Sequence, residues 1–276
     1  MENVGIGFRR ELEQGIFDYQ SSFDCLEIIA ESYFEPTRTA IEELFRLKNT
    51  FRLVPHGLRL SIGAVERPRQ SYLDELARLL DRIDAPYHGD HFALTGANGI
   101  ELGHLSPLWY TDEGLDTVIS NIRGAQRFLG RQLVLETITH PFLIPGATMS
   151  PAEFIAAACR ETGCGVLLDV TNVYINARNA GEDPSVFIRA LPLKSVRQIH
   201  LVGYAREADG TYVDGHDQAI QDDLWALYDY TMTLCSPEFV IIERDGNFPD
   251  VAELAAETER ARRPARERRR REAQSH

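Results

Sequence analysis

The feature of this sequence that most constrains its fold is a regular alternation of short apolar runs with amphipathic segments. Strands that alternate with helices form parallel sheets, and eight such units in one chain can close into a barrel. We therefore predict an α/β fold, a single (β/α)8 TIM barrel over residues 1–258, with its functional site at the C-terminal ends of the strands. The predicted strands are 4–8, 25–31, 51–56, 86–94, 131–137, 165–170, 196–202 and 239–244, and the clearest helical segments between them are 39–47, 71–83, 115–129 and 151–163.

Local signals mark helix ends and loops between these runs. Ser150, followed by a proline and then by Glu153, predicts a capping box, and Gly163 predicts the end of the same helix. The segments 95–114 and 203–223 are predicted to be long loops. Both follow a strand, which assigns them to the face where such barrels build their active sites.

Composition points to a cytoplasmic protein without a membrane segment. The 276 residues include no apolar run long enough to cross a bilayer, and the N-terminus lacks the pattern of a secretory signal. None of the four cysteines has CxxC spacing, so we expect free thiols in a reducing compartment.

The net charge of −13 conceals an asymmetry along the chain. Residues 259–276 contain eight Arg and three Glu, and we predict that they form an Arg-rich, disordered C-terminal tail. The rest of the chain is therefore even more acidic than the total suggests. Because an acidic surface repels phosphates, we expect no nucleic-acid partner.

Metal-competent side chains recur near the ends of the predicted strands. Burying a carboxylate costs several kcal/mol unless a cation or hydrogen bonds compensate it. A ring of imidazoles and carboxylates at one barrel mouth, with few lysines or arginines beside it, therefore predicts bound metal ions. Each of the last six strands carries one such residue, in chain order His56, His91, Glu136, Asp169, His200 and Glu243.

Two further pairs extend this set. Asp214 and His216 form a D-x-H pair, and in an extended segment both side chains point to the same side. Glu27 and Glu31 share one face of the second predicted strand for the same reason, and Glu31 is a possible additional ligand. The candidates exceed what one ion needs, so we predict two or three ions that share bridging carboxylates.

With these residues identified, the chain resembles the multinuclear non-haem iron-dependent oxidative enzymes (MNIO), formerly an uncharacterised-domain family. This family includes the methanobactin and 3-thiaglutamate maturation enzymes. The resemblance spans residues 3–258 or so. It rests on an ordered set of stretches that includes GIGFR (5–9), LEIIAESYF (26–34), PHGLRLSIG (55–63), LVLETI (133–138), GCGVLLDVTNVYINA (163–177), VDGHD (213–217) and IIERDGNFP (242–249).

The resemblance implies a cofactor, a reaction and partners. It implies two or three iron ions in a mixed Fe2+/Fe3+ state, with O2 as co-substrate, and oxidative modification of a residue in a ribosomally made precursor peptide. A separate protein that binds the leader of that peptide is a possible partner. Carried over by position, the implied iron ligands are His56, His91, Glu136, Asp169, His200, Asp214, His216 and Glu243, with Glu136 as a bridge.

The chain departs from the family pattern in residues beside these ligands. Thr137 and Thr171 stand where the family commonly has Asn, and Ser32 stands where it often has Asn. These departures bear on which substrate is bound and on how well a third ion is bound. Asn172 is a further candidate metal residue through its amide oxygen, with a turn-forming role as the alternative.

Two residues are candidates for catalytic roles. Arg9 is a candidate partner for a substrate carboxylate, and a surface ion pair is the alternative. Asp245 is a candidate proton acceptor, and its alternative is to hold a histidine or a loop amide in position.

Two other classes of function remain open from the residues alone. A divalent-metal sugar isomerase or a trinuclear zinc phosphoesterase also uses carboxylate and histidine ligands from the strand ends of this barrel. The second alternative is a metal-loaded barrel that binds a peptide without catalysis.

Overall fold

The predicted barrel is confirmed in a computed structural model, which describes residues 3–140, 142 and 144–267. Eight parallel strands close into one barrel, with neighbours in the order β1-β12-β9-β8-β7-β4-β3-β2. Numbered along the chain, the strands are β1 Asn3–Gly7, β2 Cys25–Ile29, β3 Arg52–His56, β4 His88–His91, β5 Leu94–Ala97, β6 Ile100–Ser106, β7 Leu133–Glu136, β8 Gly165–Asp169, β9 Val196–Leu201, β10 Gly203–Arg206, β11 Tyr212–Gln218 and β12 Phe239–Ile242.

Helices connect successive barrel strands and surround the barrel. None of the helices among the described residues is long and apolar enough to cross a membrane. The described helices are α1 Glu13–Asp18, α2 Arg38–Thr50, α3 Gln70–Ile83, α4 Asp112–Leu129, α5 Pro151–Thr162, α6 Val170–Ala180, α7 Pro184–Ala190, α8 Asp222–Leu234 and α9 Val251–Ala261.

The helix signals read from the sequence around α5 are confirmed. The Ser150 hydroxyl accepts from the Glu153 amide, and the Glu153 carboxylate accepts from the Ser150 amide at 2.8 Å. Gly163 ends the helix with a φ of +69°, a backbone conformation that glycine adopts without steric cost.

The two segments predicted to be loops each contain a β-hairpin, so that prediction is wrong in part. Strands β5 and β6 pair antiparallel within 95–114, and β10 pairs with β11 within 203–223. Short, polar, glycine-containing strands lack the apolar runs by which the barrel strands are recognised. Both hairpins follow a barrel strand, as expected for the functional face.

The interior of the barrel is filled below the strand ends by apolar side chains. Because side chains alternate along a strand, residues two positions apart face the same way. Val54, Val134, Leu167 and Ile241 are fully buried, and each stands two residues before a predicted ligand. Four of the six strand-end ligands therefore rest on a packed apolar layer, which holds their backbone rigid.

The Arg-rich segment begins within a helix that extends past the boundary predicted at residue 258. Helix α9 runs to Ala261, and helical turns continue to residue 267. Arg262 donates to the carbonyl of Ser22 at 2.7 Å and pairs with Asp24 at 3.0 Å, so it fastens this helix to the barrel. Residues 268–276, the rest of the predicted tail, lie outside the described residues.

Candidate metal centre

The register of the barrel strands sets the predicted ligands side by side. The Cα partner of His91 is Glu136, and that of Asp169 is His200. Two pairs of ligands are thus direct register partners, whereas His56, Glu136 and His200 each pair with the residue two positions before the next ligand. All six strand-end residues lie at the barrel mouth and are buried, namely His56, His91, Glu136, Asp169, His200 and Glu243.

A first group of ligand atoms joins β3, β4 and β7. The Nε2 atoms of His56 and His91 face each other at 3.2 Å. The Oε2 atom of Glu136 lies 3.2 Å from His56 Nε2 and 3.5 Å from His91 Nε2. Two imidazole nitrogens and a carboxylate oxygen that converge in this way form a set that suits a metal ion.

A second group shares Glu136 with the first. Its members are Glu136, Asp169 and His200, and His200 Nδ1 lies 3.4 Å from Glu136 Oε2. Asn172 borders this group, where its amide nitrogen donates to the Thr137 carbonyl at 3.1 Å. The Asn172 amide oxygen is buried without a hydrogen bond to the described residues. The structure thus places Asn172 at the cluster with a free ligand atom.

A third group adds the hairpin β10–β11. It contains Asp169, Glu243 and His216, and His216 Nδ1 lies 3.4 Å from Glu243 Oε2. Asp214 Oδ1 lies 2.9 Å from His216 Nε2, so the two side chains of the D-x-H pair meet. His216 has a φ of +50°, which few residues other than glycine adopt. Strained backbone of this kind is typical of functional sites.

The donor atoms of the three groups fit bound cations. A buried polar atom without a hydrogen bond costs about 1–3 kcal/mol, and a metal ion removes that cost. The groups overlap at Glu136 and Asp169, so bridging carboxylates would serve more than one ion. Atoms of the cluster that are buried without a hydrogen bond to described residues are Glu136 Oε2, Asp169 Oδ2, Asn172 Oδ1, His200 Nδ1, Asp214 Oδ1 and His216 Nδ1.

The electrostatics of the cluster also favour a bound cation. Burial disfavours a charge on His56, yet the carboxylates of Glu27 and Glu136 outweigh it and raise the pKa of His56 to about 9. Burial and the nearby charges of Glu136 and Asp214 raise the pKa of Asp169 well above its usual range. Protons on His56 and Asp169 therefore offset the negative charge of the cluster. A metal cation would compete with these protons for the same nitrogen and oxygen atoms.

Arg9 and Asp245 lie together at the rim of the cluster. Arg9 Nε donates to Asp245 Oδ1 at 2.8 Å, and Arg9 Nη2 lies 3.6 Å from Glu243. Asp245 Oδ2 is also 3.3 Å from His216 Nδ1. Asp245 therefore borders both Arg9 and His216.

One second-strand carboxylate joins the cluster and the other does not. Strand β2 ends at Ile29, so the expected common face of Glu27 and Glu31 is lost. Glu31 instead accepts from the Leu58 amide at 2.7 Å and from the Tyr72 hydroxyl at 2.8 Å. Glu27 is buried and lies 2.9 Å from His200 Nε2, a contact that the sequence analysis did not assign.

The groups surround a small cavity at the barrel mouth. Its volume is about 210 Å3, and Leu58 and Leu105 stand beside the ligands in its wall. Leu105 belongs to β6, so the first hairpin also borders the cavity. Pockets for drug-sized ligands measure about 300–1,000 Å3, so this cavity is smaller than those.

The fold is shared with barrel proteins whose sequences differ widely from this one. The chain superposes on D-psicose 3-epimerase from Clostridium cellulolyticum with a TM-score of 0.60 at 15% identity, covering 97% of this chain and 98% of that one. It superposes on endonuclease IV from Thermus thermophilus with a TM-score of 0.57 at 16% identity, covering 96% and 99%. At such identities the likeness shows the barrel alone.

Relatives found by sequence are more similar to this chain than these structures are. A UPF0276 protein from Rhizorhabdus wittichii is 34% identical over 260 residues, which are 94% of this chain and 93% of the relative. One from Caulobacter vibrioides is 32% identical over 262 residues, which are 95% and 93%. A family model described as "RiPP precursor modification enzyme MbnB/TglH/ChrH" matches residues 3–266. The chain belongs to this family of enzymes that modify the precursors of ribosomally made peptides.

Proposed function

We propose that this chain is an iron-dependent oxidoreductase that modifies one residue of a ribosomally made precursor peptide with O2 as co-substrate. The observation that carries the proposal is the overlap of three ligand groups at the barrel mouth, built from imidazoles and carboxylates. Membership of a family of precursor-modifying enzymes supplies the class of substrate. The choice of iron rests on the ligand types, because imidazole and carboxylate ligands with open positions are typical of non-haem iron oxygenases.

In this proposal, two or three ions share the cluster. His56, His91 and Glu136 would hold one, and Asp169, His200, Asp214, His216 and Glu243 the others, with Asn172 as a possible oxygen ligand. Iron in such a site, in a mixed Fe2+/Fe3+ state, would supply O2 activation and removal of a hydrogen from the substrate.

The chain's own residues would bind and orient the peptide. The cavity of about 210 Å3 would admit one substrate side chain between Leu58 and Leu105, and the peptide backbone would lie outside it. Arg9 is assigned to a substrate carboxylate, which would compete with Asp245 for the guanidinium. Asp245 would hold His216 or take up a proton when Arg9 turns to substrate.

The partners follow from the same substrate. A precursor peptide has a leader as well as the residue that is changed, and in this proposal the cavity admits only the latter. A separate protein that binds the leader is the further partner we propose, and its presence would lower the KM for the peptide without altering the chemistry at the cluster.

The test is turnover with peptides encoded beside the gene. Anaerobically purified, iron-loaded protein should change the mass of one such peptide only when O2 is admitted, and tandem mass spectrometry should locate the change in a single residue. Zinc-loaded protein should be inactive. Turnover of ketoses or of phosphoesters by the loaded protein, with no change in any peptide, would instead support an isomerase or a phosphoesterase.

A further inference from the structure

We infer that Glu27 is a positioning residue that makes His200 a metal ligand through its Nδ1 atom. His200 presents its two nitrogens to different neighbours: Nε2 lies 2.9 Å from Glu27 Oε2, whereas Nδ1 lies 3.2 Å from Glu243 and 3.4 Å from Glu136. The inference rests on the metal site proposed above and is independent of the oxidative reaction.

The orientation of Glu27 is fixed by a chain of buried hydrogen bonds from the barrel interior. Tyr87 donates its hydroxyl proton to Gln198 Oε1 at 2.5 Å. That bond sets the Gln198 amide nitrogen toward Glu27 Oε2, to which it donates. Tyr87 and Gln198 are 1% and 0% exposed, so both are fully enclosed by protein. Flipping the Gln198 amide would set its oxygen against a carboxylate and is therefore disfavoured.

These contacts favour one position for the proton on His200. The Gln198 amide nitrogen lies 2.8 Å from His200 Nε2 and would donate to it if Nε2 carried no proton. In that arrangement, however, the Nε2 lone pair would face the Glu27 carboxylate oxygen at 2.9 Å, whereas an Nε2 proton is donated to that oxygen. With the proton on Nε2, the lone pair of Nδ1 points to the cluster. A carboxylate that orients a ligating histidine in this way strengthens metal binding.

Glu27 has one other possible role, because it also forms a candidate ligand group with His200 and Glu243. The two roles differ in what a neutral replacement does. Loss of a ligand removes an ion, whereas loss of a positioning carboxylate weakens binding and leaves the number of ions unchanged. Metal stoichiometry and metal affinity therefore separate them.

The experiment titrates Co2+ into the full-length, metal-free protein in competition with a chelator, for wild type, Glu27→Gln and Tyr87→Phe. Glu27→Gln should bind Co2+ about 10–100-fold more weakly at the wild-type stoichiometry, with altered Co2+ absorption bands. Tyr87→Phe, which keeps the ring against Phe239, should show a smaller loss in the same direction. Glu43→Gln is the matched control, since Glu43 is a buried carboxylate bound to Tyr33 and Arg10 away from the cluster, and it should bind as wild type does.

A second measurement does not depend on how the variants fold. In Zn2+-loaded wild-type protein labelled with 15N-histidine, NMR should show His200 protonated at Nε2 and bound through Nδ1. The opposite assignment overturns the inference, as does a lost metal equivalent or an unchanged affinity in Glu27→Gln. If the wild-type protein binds neither Co2+ nor Zn2+, the proposed metal site is wrong and the inference fails with it. If the wild-type protein binds these ions and Glu27→Gln binds them equally well, only the inference is overturned.

Discussion

At the scale of single residues, Glu136 has the most demanding position in the cluster. Its Oε2 atom lies 3.2 Å from His56 and 3.4 Å from His200, so one carboxylate faces two ligand groups. Burial opposes its charge, but the neighbouring His200, His91 and His56 lower its pKa. A carboxylate kept ionised between two groups of ligands is suited to bridge two metal ions.

We expect Glu136→Gln to lose more than one metal equivalent, because the substitution removes the charge that two ions would share. Metal analysis after anaerobic reconstitution, with circular dichroism as the check on folding, measures this. His104→Ala is the control, since His104 is exposed on the β5–β6 hairpin and should keep the wild-type metal content. A folded Glu136→Gln protein with full metal content would rule out the bridging role.

Most residues of the cluster are predictable from the sequence, whereas the residues that orient them are not. His200 and Glu136 are recognisable because each is an isolated polar residue at the end of an apolar run. Glu27 lies in a similar run, yet its role depends on a contact with His200 at 2.9 Å across the barrel, which no local pattern encodes. Gln198 and Tyr87 are detectable only through that contact.

At the scale of elements, the hairpin β10–β11 must hold Asp214 and His216 over the barrel. Tyr174 of α6 holds it in place: its ring stacks on Tyr204 at 5.2 Å between ring centroids and meets Tyr212 edge-on at 5.8 Å. Aromatic pairs of this kind contribute about 0.5–1.5 kcal/mol each. The second hairpin is thus fixed to helix α6 by aromatic contacts.

We expect Tyr204→Ala to weaken binding of the one ion that Asp214 and His216 would hold, and to spare the ion at His56 and His91. The ring contacts disappear in this variant, whereas the control Tyr204→Phe keeps them and loses only the hydroxyl bond to Asp223. Chelator competition should release one equivalent early in the alanine variant only. Equal loss of all equivalents would show that the hairpin is not an independent holder of one ion.

The end of the chain offers a second test at this scale. A stop after Arg260 removes Arg262 and its bonds to Ser22 and Asp24, together with the buried Ala261 and Ala265. We expect that truncation to lower the free energy of unfolding by about 1–3 kcal/mol, as loss of hydrogen bonds to a charged group commonly does.

The matched control for this truncation is a stop after Glu267, which removes only residues 268–276. It should change the free energy of unfolding by no more than about 0.5 kcal/mol in urea titrations. If both truncations unfold at the same urea concentration as the full chain, the contacts of Arg262 do not stabilise the barrel.

At the scale of the whole molecule, the barrel itself was predictable and its additions were not. Runs such as 165–170 and 239–244 are apolar and flanked by helical patterns, and these features alone favour a buried parallel strand. Strands β6 and β11 are exposed or half-buried and contain glycine, so their pairing depends on the partner strand. Eight parallel strands then bring residues far apart in sequence to one mouth.

The central claim is that this mouth holds a cluster of more than one iron ion. The most direct measurement is the metal content of anaerobically reconstituted full-length protein, combined with its Mössbauer spectrum. The account predicts two to three iron ions per chain, with magnetically coupled Fe2+ and Fe3+. At most one tightly bound iron, or an active enzyme that retains stoichiometric zinc in its place, would contradict it.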